Sequence, residues 1–240
     1  MSTVLSAHPR SRFYAVVAIA LAATVVFGFA RTYYLRPLFD LPPLERLVHL
    51  HGLTFTAWIA LLVVQTRLVA ARRVDLHRKL GLAGVALAAL ILIVGFFTIA
   101  GRAAVPRVHP SGLTPSQFTI VGMTSLALFA AFFSLAIAFR KRAALHKRFI
   151  VLAMIAALTP ASSRILTLFG LREYFVLLVP VIPVAFVGWC LARDWVRERV
   201  VHPVYLYGGI VIAAAWPLRL AAGRAEWYQP IGEWIASVGA

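Results

Sequence analysis

Seven apolar stretches, each about as long as one bilayer crossing, leave this chain few folds to choose from. A spanning helix needs roughly 20 predominantly apolar residues, because the hydrocarbon slab is about 30 Å thick and an α-helix rises about 1.5 Å per residue. The runs extend from Phe13 to Ala30, Leu47 to Ala70, Leu80 to Ala100, Phe118 to Phe139, Phe149 to Phe169, Tyr174 to Ala192 and Val204 to Leu220. Hydrophobic residues make up 62% of the chain and charged residues 13%. Soluble domains sit near 45–50% and about 25%, and a core of ordinary size cannot hide the excess from water. The expectation is an all-α integral membrane bundle of seven transmembrane helices, one transmembrane domain over 1–240. Six spans, with the seventh run re-entrant, is the alternative. The fifth and sixth runs are parted only by Gly170, Leu171, Arg172 and Glu173, which predicts a tight helical hairpin. The first run lacks a small-x-small cleavage site and reads as a retained anchor.

Charge orders these helices. The formal net charge is +16, and the basic residues gather in alternate loops. Arg67, Arg72, Arg73, Arg78 and Lys79 follow the second run. Arg140, Lys141, Arg142, Lys147 and Arg148 follow the fourth, and Arg193, Arg197 and Arg199 follow the sixth. The positive-inside rule places these loops and the N-terminus in the cytoplasm, and the C-terminus outside if there are seven spans. The expected location is a bacterial inner membrane, with the basic loops against anionic phospholipids; nucleic acid is not the expected partner. Tyr33, Tyr34, Tyr174, Trp195 and Trp227 fit an interfacial aromatic belt. The tail 224–240, with Trp227, Tyr228 and Trp234, is expected to lie along the outer interface as a short amphipathic helix. A single cysteine, Cys190, excludes an intrachain disulfide.

A weak internal repeat runs through the middle of the chain. The segment 72–79, RRVDLHRK, aligns without gaps with 141–148, KRAALHKR, at an offset of 69 residues. Each copy joins an even run to the next odd one, so the second and third helices and the fourth and fifth read as two copies of one hairpin in a parallel repeat.

The polar inventory is narrow. All eight acids fall in loops or at run ends. That predicts neither a carboxylate proton relay nor a carboxylate-assisted hydrolase. The histidines come next. His77 and His146 occupy equivalent places in the repeat, at the inner ends of the third and fifth helices, and can meet across a pseudo-two-fold axis. Two histidines from different helices are the ligand set of a membrane b-type haem, and with a third group they hold a transition-metal ion. The plain reading is that both are solvated interfacial residues. His49 and His51 open the second helix at the outer face, with His109 on the same side as the best third metal ligand, although residues two apart on a helix point about 200° apart. His8 and His202 read as loop residues. Arg164 is the charge that stands out. It lies about 22 Å along the fifth run, in Thr159-Pro160-Ala161-Ser162-Ser163-Arg164, where it would bind an anion or a haem propionate, or reach out to headgroups. Pro160 frees a carbonyl that Ser162 and Ser163 can satisfy. Trp58 and Gln65, on the second helix, complete the polar candidates, and Pro180, Pro183 and Pro217 are expected kinks.

The motifs His49-Leu50-His51-Gly52, Trp58, Gln65, 75–81 (DLHRKLG) and His146-Lys147-Arg148 resemble a family of uncharacterised, mostly proteobacterial, multi-pass membrane proteins. The resemblance is clearest from Phe13 to Arg164. It supports this choice of residues and implies no particular reaction. More loosely, the paired histidine hairpins are similar to cytochrome b561 and to membrane proteins of haem handling and oxidase assembly. Cytochrome b561 carries histidine pairs at both faces of four successive helices, whereas the outer face here offers them on one helix only. Three functions follow as expectations. One is a haem- or metal-binding redox or assembly protein using His77 and His146, with His49 or His51 and Arg164 at an outer site. The second is a transporter or binding protein for a small anionic or lipid-like molecule, with Arg164 and the serines of the fifth helix. The third is a structural subunit.

Overall fold

The computed structural model describes residues 9–105 and 109–240, with side chains from Arg12 onward; His8 lies outside the described residues. Ten α-helices follow one another with no strand among the described residues. They are α1 (Pro9–Phe29), α2 (Arg46–Ala70), α3 (Val74–Ala103), α4 (Pro115–Ala138), α5 (Ala143–Ala156), α6 (Thr159–Leu168), α7 (Phe175–Leu178), α8 (Val181–Glu198), α9 (Pro203–Arg224) and α10 (Gln229–Val238). The expected all-α bundle is what forms. Six stretches are long and apolar enough to cross a membrane, and α5 with α6 makes a seventh if that bent pair is one span. The outside of the bundle carries the surface such a reading requires. Leu82, Leu177, Leu218 and Ile93 all project from it, with Leu82 76% exposed, and a soluble monomer rarely tolerates so many.

The six-span alternative falls on the fifth run and not, as expected, on the seventh. The seventh run is one continuous helix, α9, and Pro217 sits inside it. The fifth run breaks after Ala156 and bends by 45° before α6. Pro160 explains the break: it has no N–H to give, and its ring clashes with the carbonyl four residues back, at Ala156. The sixth run is interrupted more mildly, α7 ending at Leu178 and α8 starting after Pro180 with Pro183 in its first turn, and Arg172–Glu198 remains one span.

Local chemistry sets the other ends. Thr114 caps α4 in a capping box: its Oγ1 accepts from Gln117 N at 3.2 Å and its own N–H donates to Gln117 Oε1 at 3.0 Å, with Pro115 at the first helical position. Gly170 ends α6 in the left-handed region (φ 71°), and Leu171 N then donates to Leu166 O at 2.9 Å. The expected hairpin turn is thus a glycine-terminated helix end.

The bundle is built around α5. Residues 151–156 of α5 are all buried, and the helix packs on α1, α4, α8 and α9. Leu21, Trp58, Ile91, Phe129, Leu152, Ile155 and Tyr205, from six of the helices, fill this core. α1 reaches the break itself. At Gly28 an added Cβ would stand 2.7 Å from the Ala161 carbonyl oxygen, so only glycine allows that approach. The two repeat hairpins, α2 with α3 and α4 with α5, are each packed antiparallel pairs, although α3 is unbroken where the fifth run is bent. The tail forms α10, which packs on α3 and α4. Gly232 lies against the Ser116 backbone and Trp227 and Trp234 remain exposed, so the helix has one buried and one open face.

Cysteine labelling decides the span count. In a Cys190→Ala background, Lys141→Cys and Leu171→Cys are expected to label from opposite sides of the membrane, because α5 and α6 together cross it; labelling from the same side would make that pair re-entrant.

Candidate functional site

Buried polar groups of this bundle collect in three places. The first is the histidine pair at the basic end. His77 lies in the first turn of α3 and His146 in the first turn of α5, and their rings meet edge to face, with centroids 6.3 Å apart and planes at 81°. His146 Nδ1 lies 2.8 Å from the carbonyl oxygen of Ala136, in the last turn of α4. As a carbonyl only accepts, Nδ1 carries a proton, which in the neutral ring leaves the lone pair on Nε2. His77 Nδ1 is buried with no hydrogen-bond partner, and so is Gln65 Oε1. Gln65 belongs to this corner: its backbone is within hydrogen-bonding reach of His77, and its amide nitrogen lies 3.8 Å from where a Cβ on Gly81 would stand, one helical turn beyond His77.

The second place was not anticipated. Asp194 is fully buried in α8 and Arg148 almost so in α5. Arg148 Nη2 donates to Asp194 Oδ1 at 3.2 Å and to Oδ2 at 3.1 Å, and approaches Glu198 Oε2 at 3.6 Å. Arg193 Nη1 donates to Asp194 Oδ1 at 3.0 Å and to Glu198 Oε1 at 2.7 Å. The hydroxyls of Tyr14 and Tyr205 and the Cys190 thiol cluster beside the pair. The Arg148 guanidinium lies over the Tyr205 ring at 5.5 Å. Burial, and then the Arg148 charge, hold the His202 imidazole below its usual range; its Nδ1 accepts from Val204 N and caps α9. The expectation that no acid enters a span is therefore corrected. α8 continues past Ala192 to Glu198, and carries Asp194 inward. Two signs were legible: Asp194 follows the apolar run by two residues, and Glu198 stands one turn further on.

Arg219 marks the third place, and it corrects the reading of Arg164 as the outstanding membrane charge. Arg219 lies within the seventh run and is buried, about 5% exposed. It lines a small cavity with Thr159, Pro180, Pro183 and Trp216. Arg164 instead packs on α1: its guanidinium lies 4.2 Å from the Phe29 ring centre, and Nη1 donates to Pro160 O at 3.0 Å. Ser162 donates to Leu158 O and Ser163 to Pro160 O, so neither serine takes up the Ala156 carbonyl.

The outer histidines stay apart. His49 is exposed against Tyr33, whose hydroxyl donates to the His49 carbonyl, while His51 stacks on Phe55 with its Nδ1 buried and unpartnered. His109 stacks on Phe118 at 3.5 Å and lies 2.7 Å, Nδ1 to Oγ, from Ser111. No group of three or more His, Cys, Asp or Glu side chains converges among the described residues. Trp58 is core, packed edge-on against the stacked rings of Phe129 and Phe133, with its Nε1 buried and unpartnered. Comparison with protein families, with curated proteins and with solved structures returns no match.

The buried ion pair gives a direct test. Arg148→Met or Asp194→Leu alone is expected to cost about 3–5 kcal/mol, because each leaves a charge buried without its partner. The double variant should recover most of that loss. Unfolding of all three in detergent micelles measures it.

Proposed function

We propose that this chain is a multi-pass membrane protein that holds a transition-metal centre between His77 and His146, with Gln65 as a neighbouring oxygen donor. The observation that carries the reading is the ring pair itself. With metal–nitrogen bonds of about 2.0–2.1 Å, two imidazoles that share one ion have ring centres no more than about 6.5 Å apart. The separation found is 6.3 Å. Metal-binding histidines ordinarily donate their other ring nitrogen to a carbonyl or carboxylate, which fixes the tautomer and aims the lone pair. The His146–Ala136 bond has that form. Each histidine comes from a different helix, α3 or α5, so a bound ion would clamp the two hairpins together.

The chemistry suits iron or copper, as a bare ion or as the iron of a b-type haem, since neutral imidazole is a good ligand for both. A centre of this kind serves electron transfer or the delivery of a metal to another membrane protein. The buried acid at Asp194 is committed to Arg148 and Arg193 and plays no part as a ligand.

Purified protein tests the proposal through its optical spectrum and elemental analysis. We expect a stoichiometric transition metal, with a Soret band if the metal arrives as haem and none if it arrives bare. His77→Ala and His146→Ala should each lose it, while His49→Ala, His51→Ala and His109→Ala keep it. A colourless, metal-free protein that also fails to take up added iron, copper or haem overturns the proposal.

A further inference from the structure

Where the fifth and sixth runs break, they break beside each other. Ala156 and Thr159, on either side of the α5–α6 break, line a cavity together with Pro180, Pro183 and Val184 at the α7–α8 break. α9 closes it with Ile212, Trp216 and Arg219. The cavity has a volume of about 10 Å³ measured at the centre of a water-sized sphere, which is room for about one water molecule or one monatomic ion.

Its charge is one-sided. Arg219 Nε donates to Ala215 O at 3.0 Å, and Nη1 donates to Val121 O at 3.3 Å and Ser125 Oγ at 3.0 Å. Those partners are neutral, and no carboxylate pairs with Arg219 among the described residues. Nη2 takes no hydrogen bond among them. The Trp216 ring, 5.2 Å from the guanidinium carbon, offsets only part of the charge. Two helices also begin at the cavity, α6 at Thr159 and α8 at Val181, and a helix N-terminus carries a partial positive charge. Broken helices that turn their N-termini on a site in the middle of a bundle favour an anion there. A buried arginine and two helix starts around one small cavity all ask for a negative charge there.

We propose that the Arg219 cavity binds one small inorganic anion of halide size, chloride being the physiological case. The anion would sit against Arg219 Nη2, between the starts of α6 and α8, with the Thr159 side chain as its one hydroxyl-bearing neighbour. Sulfate and phosphate are too large. The site lies about 15 Å along the fifth run from His146, at the far end of α5, and does not rest on the metal centre.

The test uses the full chain in detergent, melted in sodium chloride and in sodium gluconate at matched ionic strength. The unfolding temperature is expected to rise and saturate with chloride, to rise with bromide, and to stay level with gluconate or sulfate. Arg219→Gln should abolish the response. Thr159→Val should weaken the apparent affinity about threefold to tenfold, the worth of one hydrogen bond. Should Arg219→Gln fail to fold, Thr159→Val decides in its place. A wild-type melt that does not distinguish chloride from gluconate overturns the proposal. So does a chloride response left unchanged in Arg219→Gln, or in Thr159→Val.

Discussion

Pro160 has no N–H to donate, and it stands just beyond the end of α5, the helix that the rest of the bundle surrounds. Within a hydrocarbon slab an unpaired backbone group costs several kcal/mol, so an irregular turn is tolerated only where protein or an internal cavity meets it. That constraint places the break at 157–158 in the interior, against a second break at Pro180. Gly28 of α1 lies directly on the Ala161 backbone beside it. The cavity follows from the breaks, and the need for a buried polar group at the cavity follows from the carbonyls and helix starts they expose.

Charges inside this bundle have met three fates, and burial separates them. Arg148 is enclosed and meets a carboxylate that is enclosed with it, so desolvation of both is offset by close, hydrogen-bonded attraction. Arg219 is enclosed and meets only carbonyls, a hydroxyl and a ring. Arg164 is half-buried, lies over the Phe29 ring and donates to the Pro160 carbonyl. Position along an apolar run does not separate these cases. Arg164 and Arg219 both stand inside one, yet only Arg219 is buried.

The sequence carried the architecture more fully than the site. Run length and composition predict the helices because hydrophobicity is additive along a segment and independent of partners. Gly170, Thr114 and Pro160 mark ends and breaks for the same reason: each acts on its own backbone. Pairing is different. Arg148 reads as one more basic loop residue until α5 is known to start at Ala143, which winds it inward. Asp194 reads as the first residue of a loop until α8 is seen to run on to Glu198. Ser162 reads as a polar candidate, yet its hydroxyl is consumed by a bond to Leu158, while Trp58 packs its ring in the core and keeps a buried Nε1 without a partner. The meeting of His77 with His146 was the exception, because the repeat supplied the tertiary information that single positions lack.

That repeat is also where the two histidines part company chemically. Ala136, whose carbonyl anchors His146, has Arg67 as its equivalent 69 residues earlier. The Arg67 carbonyl is already taken by the N–H of Ala71, and His77 turns to the neighbourhood of Gln65 instead. A pair kept only to cap helix ends would be expected to cap both. Here one ring is locked by its carbonyl, while the other presents a buried nitrogen without a partner beside a buried amide oxygen in the same state. Two unpaired buried atoms next to a fixed imidazole carry a desolvation cost that nothing within the chain offsets. Under the proposed reading an ion that accepts lone pairs would offset that cost, and a water molecule would do so by donating to both and finding a third partner.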